Sequence, residues 1–461
     1  MALINKIPAI LKYIEKHQKK LDDNQIIFNI LEGDVLTQVY NAIDQQLSGS
    51  SAQVSKQRAV PINILRKVVD KQTSIYAESP ERTTDLPKDL ELMESYEQSL
   101  DINDQFNTVN ESFNAYKYGV EEIYYEESTK EVKTRTVATN LFLPYGDDLN
   151  NPLKVTEMIK IMGSYRKTVG AAVKNAAIYH IYSDDEFIII DEDGSVLYDQ
   201  MAEYGIDDGV NPYGVIPFSY VSRSKYLLVP LTDTDQIAMS ILVPLLMTEL
   251  NYGMTFLCNP IIYGVDVDVK NLQVAPNTFW SVSSDGSSEN KGELKVLQPN
   301  MNIPNQSNWI MEQTAVWLET KNIKANHLVN VNGSESISSG IALIIREMDT
   351  TEDKRKQTKY FQTFESDFWR RLAKIHNYLA ASSMLKDNTK FSDDFDVRVS
   401  FNVNQVIETT EAVWTRVNAA YAAGTISKER ALMELYPEWS EEQLEEELAR
   451  NTITLPTVSE E

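Results

Sequence analysis

The sequence predicts an α+β protein, and three observations predict it. The first hundred or so residues show apolar spacing near 3.6. From about Ala115 the pattern changes to β-branched and aromatic residues around polar turns. A very long helix is then expected from about Ile341 to Met384, its second half amphipathic with the helical period. With 461 residues, the chain is too long for one ordinary core and suggests two to four compact units.

The opening segment, MALINKIPAILKYIEKHQKK, lacks a long apolar run and a small-residue cleavage site, so it reads as an amphipathic helix and not a signal peptide. Asp22 and Asp23 precede IIFNILEGDVLTQVYNAI, which has helical spacing. The polar, low-complexity QQLSGSSAQVSKQ reads as a separator before VPINILRKVVDKQTSIY. DLPKDLELMESYEQSLDI is a further short helix with Pro87 near its start, where the missing amide hydrogen does no harm.

The β-rich part begins with KYGVEEIYYEESTKEVKTRTVATNLFLPY and repeats in AIYHIYSDDEFIIIDEDGSVLYDQ, where Asp193-Gly194 signals a hairpin. NPYGVIPFSYVSRS closes it. A helix is expected over about Asp233–Leu257, then an irregular β region rich in Gly, Ser, Asn and Pro, then a second helix from about Ser307 to Lys324. The polar NHLVNVNGSESISSG leads into the long helix, in which Phe361, Phe364, Phe368, Leu372, Ile375 and Leu379 form one apolar stripe. A strand, DVRVSFNV, and a helical tail follow, with Ser427 and Ser440 as N-caps and Pro437 between the helices. NTITLPTVSEE reads as a loose end.

Composition narrows function. The single cysteine, Cys258, permits no internal disulfide. The net charge is −25, which argues against a protein that grips nucleic acid statically, because phosphate neutralisation supplies that affinity. It does not argue against a wall past which a polyanion slides. IAMSILVPLLMTELNYGMTFL, Ile237–Leu257, is apolar but carries Glu249, Asn251, Pro244 and Gly253, which favours a buried or subunit-facing helix over a membrane span. His17, His180, His327 and His376 lie far apart, with no zinc spacing, and there is neither a P-loop nor a G-x-S-x-G. No metal, cofactor or enzymatic activity is expected. Asp191, Asp193, Gly194 and Ser195 faintly suggest a calcium loop, but Ala202 stands where the closing glutamate belongs, so a plain hairpin turn is the simpler reading. Lys354-Arg355-Lys356 reads as a solvated face balanced by Glu352 and Asp353, or as a salt-bridge belt between subunits.

Four segments carry a family likeness: NPYGVIPF, LTDTDQIAMSILVPLLMTELNYGMTFLCNPIIYG, ISSGIALIIREM and AAGTISKERALMELYPEWSEEQLEEELAR. In this order, over about 115 to 450, they resemble the portal proteins of long-tailed double-stranded DNA bacteriophages. The resemblance implies a portal fold: a mixed α/β wing over 1–230, a first stem helix over 231–257, a small β-containing clip over 258–305 and a second stem helix over 306–326. A tunnel loop over 327–340, a long wing helix over 341–390, a strand and crown over 391–450 and a flexible tail over 451–461 complete it. Pro244 departs from the pattern and is expected to kink or break the first stem helix.

The resemblance further implies a homo-oligomeric ring, a dodecamer, at the portal vertex of a virion, assembled in the host cytoplasm, through which double-stranded DNA is packaged and ejected. Its expected partners are the terminase large subunit, head-tail connector proteins and a major capsid or scaffolding protein, with no membrane. Expected DNA-channel residues are Asn330, Asn332, Gly333, Ser334, Glu335, Ser336 and Ser338 of the tunnel loop, and Glu312, Glu319, Lys321 and Lys324 of the stem, the two lysines otherwise reading as plain surface lysines. Phe279, Trp280, Asp285 and Lys291 of the clip are expected to dock the motor and connector, Phe279 and Trp280 otherwise filling the clip's own core. The acidic run in Ser440–Arg450 is expected to be a solvent-facing crown helix. The alternatives are another neck or capsid protein that never lines a DNA channel and, more distantly, a cytosolic enzyme of unknown type.

Overall fold

The computed structural model describes residues 2–169, 172–204, 208–258, 261–265, 293–297, 302–323, 340–401 and 410–436. The chain divides into two units, 1–331 with 352–401, and 332–351 with 402–461.

The first unit opens with helices α1 (Leu3–Leu31), α2 (Val35–Gln46), α3 (Gly49–Gln57) and α4 (Ile64–Gln72). The run expected to be one helix after Asp22 breaks at Gly33, whose φ of 95° ends α1, and Asp34 caps α2 through the amide of Thr37. The polar separator is not a linker: it folds as α3, burying Ala52 and Ser55. A strand β1 (Glu81–Thr83) precedes α5 (Pro87–Leu100) and α6 (Ile102–Tyr116), and Pro87 does start its helix.

Two antiparallel sheets follow. One has order β3-β2-β8, from β2 (Tyr118–Glu126), β3 (Glu131–Thr136) and β8 (Phe218–Ser222). The other has order β4-β5-β6-β7, from β4 (Phe142–Tyr145), β5 (Glu157–Val169), β6 (Ala172–Tyr182) and β7 (Phe187–Asp191), with α7 (Tyr198–Glu203) after it. Glu122 on β2 ties the sheets, accepting from Lys160 on β5 at 2.6 and 2.8 Å and from Arg135 on β3 at 2.6 Å. The NPYGVIPF segment is a lock: Asn211 donates to the carbonyls of Ser183 at 2.7 Å and Val215 at 2.9 Å, and Gly214 turns with φ 62°.

Helix α8 (Thr234–Cys258), the antiparallel strands β9 (Ile261–Val265) and β10 (Glu293–Leu297), and α9 (Ile303–Thr320) come next. Helix α10 (Gly340–Ala381) returns the chain to the body, and β11 (Arg398–Ser400) pairs with β1. The predicted stripe on α10 is the spine of the largest core: Phe361, Phe364, Phe368, Leu372, Ile375 and Leu379 are all at most 2% exposed, packed on Phe106 and Phe113 of α6. Arg82 carries charge into this core. Arg82 of β1 donates to Glu365 of α10 at 2.6 Å, Tyr76 donates to the other Glu365 oxygen at 2.8 Å, and Asn103 accepts from Arg82 at 2.9 Å.

In the second unit, α11 (Thr410–Ala422) and α12 (Lys428–Leu435) form a helical hairpin. Gly424, with φ 70°, makes the turn and Ser427 caps α12 through the amide of Arg430 at 3.2 Å. Val417 and Ala431 are buried, and Trp414 meets Tyr436 edge-on.

Candidate functional site: the helix pair and its junction with the body

Helices α8 and α9 lie against each other. Val243 of α8 and Ile310, Trp317 and Leu318 of α9 form an apolar seam with Ile64 and Val68 of α4. Helix α8 also faces the neighbouring core through Leu245. The break expected at Pro244 does not occur, since α8 runs unbroken through it. Pro244 is buried where α8 is held on both sides. Thr248 donates to the Pro244 carbonyl at 2.7 Å, and Ser240 to that of Gln236 at 2.6 Å, side-chain bonds to the carbonyl one turn back. By length and composition α8 is apolar enough to cross a membrane, and about a third of that stretch is buried inside the body.

The outward face of the pair is mixed. Trp309 and Val316, one above the other on α9, are 50% and 59% exposed, and Leu242 of α8 is 42% exposed. Beside them Ile310 and Trp317 are buried, so the apolar residues of α9 divide between an inner and an outer face. Glu312 and Glu319 are exposed beside the tryptophan–valine stripe, at the same seven-residue spacing.

The pair joins the body through polar groups. Because α8 starts where α9 ends, Lys321 falls beside Asp233 and Asp235. Its ammonium lies 3.2 Å from Asp233 and 2.8 Å from Asp235, and Lys117 closes on Asp233 at 2.6 Å. Burial pushes the Asp235 carboxyl up, but Lys321 and the Trp317 indole N–H, donating at 3.0 Å, hold it below the ordinary aspartate range. A cavity of about 460 Å³ opens here, lined among others by Gln72, Lys117, Arg223, Leu227, Asp233 and Lys321. Close by, Lys20 donates to the Tyr116 carbonyl at 3.2 Å, and burial, with Lys117 adding repulsion, pulls its ammonium down to about 8.

From this cavity a chain of side-chain hydrogen bonds reaches the long helix. Arg223 donates to Asp353 at 2.7 Å, and Gln357 donates to the same carboxylate at 2.6 Å. Asn110 and Asn114 of α6 donate to Gln357 at 2.9 and 3.3 Å, Asn114 also donates to the Gln72 carbonyl, and Gln72 donates to the Lys321 carbonyl at 3.0 Å. The side-chain oxygens of Gln72, Asn110 and Asn114 are buried without a protein donor. These bonds tie the helix pair, α6 and α10 together through side-chain amides and one carboxylate.

The expected site residues divide accordingly. Glu312 and Glu319 are exposed on α9. Lys321, expected on the channel face of the stem, has a side chain 12% exposed that pairs with Asp233 and Asp235. Lys324, the tunnel-loop residues Asn330 to Ser338, the clip residues Phe279, Trp280, Asp285 and Lys291, and the acidic segment Ser440–Arg450 lie outside the described residues. Lys356 pairs with Glu352 at 2.7 Å, one turn away, whereas Asp353 turns to Arg223. The Asp191–Ser195 segment is a turn whose cation is an ammonium: Asp191 accepts from the amides of Asp193 and Ser195, and Lys167 pairs with Asp191 and Asp193. Among the described residues no cluster of His, Cys, Asp and Glu is arranged to hold a metal. The joint itself escapes sequence reasoning, because its partners lie up to 249 residues apart.

No family model matches the chain, and no curated protein is significantly similar to it. One solved structure that it matches is the neck of an empty GTA particle computed with C6 symmetry. The match has a TM-score of 0.33 and 10% identity, over 80% of this chain and 88% of that one.

Proposed function

We propose that the chain is one subunit of a phage portal: a ring at one capsid vertex through which double-stranded DNA enters during packaging and leaves on ejection. The observation that carries this reading is the excursion α8–β9–β10–α9. A helix leaves an α/β body, an antiparallel strand pair interrupts it, a second helix returns beside the first, and the long helix α10 re-enters the body's aromatic core. That is the order of stem, clip, stem and long wing helix that the four sequence segments imply.

The surface chemistry supports the same reading. Trp309, Val316 and Leu242 leave apolar area in water on a lone subunit, and a neighbouring copy would cover it. A ring needs such contacts to be heterologous, between two different faces. The charge of −25 suits a wall that lets DNA slide. On this reading the chain acts as a conduit and not as an enzyme, the terminase large subunit and then the head-tail connector dock on the clip, and capsid or scaffolding protein surrounds the body.

The test is to purify the chain, weigh the assembly by native mass spectrometry and image it in negative stain. Closed rings with an open centre are expected. Monomers or dimers at every concentration would overturn the reading. Closed assemblies without a passage would favour a neck or capsid component that does not line a DNA channel.

A further inference from the structure

The β5–β6 hairpin outgrows its sheet. Strand β4 pairs with β5 only up to Lys160, and β7 pairs with β6 only from Ile178 onward. Beyond a register shift between Ile161 and Ser164, where Gly163 turns with φ 102°, the strands go on alone from Ser164↔Ala177 to Val169↔Ala172. At roughly 3.3 Å per residue this two-stranded ribbon extends on the order of 20 Å with both edges free of sheet neighbours among the described residues. A ribbon of this kind is marginal in water, and its free edges are a pairing template.

The ribbon is also basic in an acidic chain. From Ser164 to Ala177 the sequence has Arg166, Lys167 and Lys174 and no carboxylate. Lys167 and Tyr165 are turned to the body, where both bond Asp191. Arg166 and its cross-strand partner Asn175 are exposed on the other face. Elsewhere on the body, α7 and the loop after it present the opposite chemistry. Tyr198, Tyr204 and Val210 are 61%, 55% and 51% exposed, among the exposed carboxylates Asp199, Glu203 and Asp208. A guanidinium finds both carboxylates and tyrosine faces there.

We propose that the β5–β6 ribbon of one subunit docks on the acidic, tyrosine-bearing α7 face of a neighbouring copy, Arg166 against Tyr198, Asp199, Glu203 and Tyr204. The inference rests on the ring reading for its setting. The two faces are different parts of one chain, so the contact is heterologous and can repeat around a ring. It also offsets repulsion between copies that each carry −25.

The test is a charge swap read by mass photometry over a concentration series, with circular dichroism on every variant. R166E/N175E and D199K/E203K should each raise the concentration for half-association by about tenfold, and the four changes together should restore it to near the wild-type value. Should a variant unfold, disulfide trapping replaces it. In a C258S background, chains carrying R166C and chains carrying D199C should form a linked dimer when mixed, and neither should alone. Wild-type association in every variant, or no linked dimer, overturns the contact while leaving rings in micrographs intact. Unchanged association with weakened duplex DNA binding assigns the ribbon to nucleic acid instead. Rescue by the four changes without closed rings keeps the contact and sinks the ring reading. A wild-type chain that stays monomeric overturns both.

Discussion

Replacing Glu121 with glutamine should remove a pH dependence built into the body. Glu121 lies on β2, fully buried, and one carboxyl oxygen accepts from the Thr136 hydroxyl at 2.8 Å. Burial pushes its carboxyl up to about 8, the hydroxyls of Thr136 and Thr134 pull the other way, and the adjacent Glu122 adds repulsion. In the unfolded chain it titrates near roughly 4.3. Between those values the folded state holds a proton that the unfolded state has released. The stabilising contribution is therefore complete below the unfolded value and is lost as pH rises toward the folded one. At about 1.4 kcal/mol per pH unit, going from pH 5 to pH 8 removes on the order of 3–4 kcal/mol. Glutamine is neutral throughout, so Glu121→Gln should lie within about 1 kcal/mol of wild type near pH 5 and be the more stable by on the order of 3 kcal/mol at pH 8. Urea unfolding followed by circular dichroism at several pH values, at fixed ionic strength, measures the difference; other titrating groups largely cancel in it. A difference that stays constant from pH 5 to pH 8 would refute the reasoning.

Phe368→Ala should destabilise the body by about 3–5 kcal/mol in the same assay, because its fully buried ring packs edge-on against Phe106 and Trp369. Lys321→Met should cost about 1–2 kcal/mol by leaving Asp235 short of its cation, with no change in duplex DNA affinity; the reverse pattern would return Lys321 to the channel. Trp309→Ser with Val316→Ser should lower association between copies without altering the circular dichroism spectrum, since both side chains are exposed in the lone subunit.

What was legible in the sequence was local. The α10 stripe is read directly because six aromatic and aliphatic residues keep helical spacing over five turns and all face one core. Helix α8 and the Ser427 cap are equally plain. Gly33-Asp34 carried its own break signal, a left-handed stop followed by a cap, but the apolar residues on either side masked it. The separator at Gly49–Gln57 has weak helical propensity and becomes a helix only because Ala52 and Ser55 find cover. The β5–β6 ribbon escaped because lysines, small residues and two glycines interrupt any clean alternation. The junction was illegible for another reason. Lys321 reads as a surface lysine until the fold brings Asp233, Asp235 and Gln72 to it, and no local pattern announces contacts across such distances in the chain.

Copies of this chain are proposed to enclose a passage for duplex DNA, with α8 and α9 at its wall. A cryo-electron microscopy reconstruction of the assembled protein tests it most directly. The account predicts closed rings in which the α8–α9 pair of every subunit stands around an axial channel wide enough for duplex DNA, with Trp309 and Val316 covered by the next subunit. A map in which those helices lie on the outer rim, or in which the subunits close without an axial opening, would contradict it.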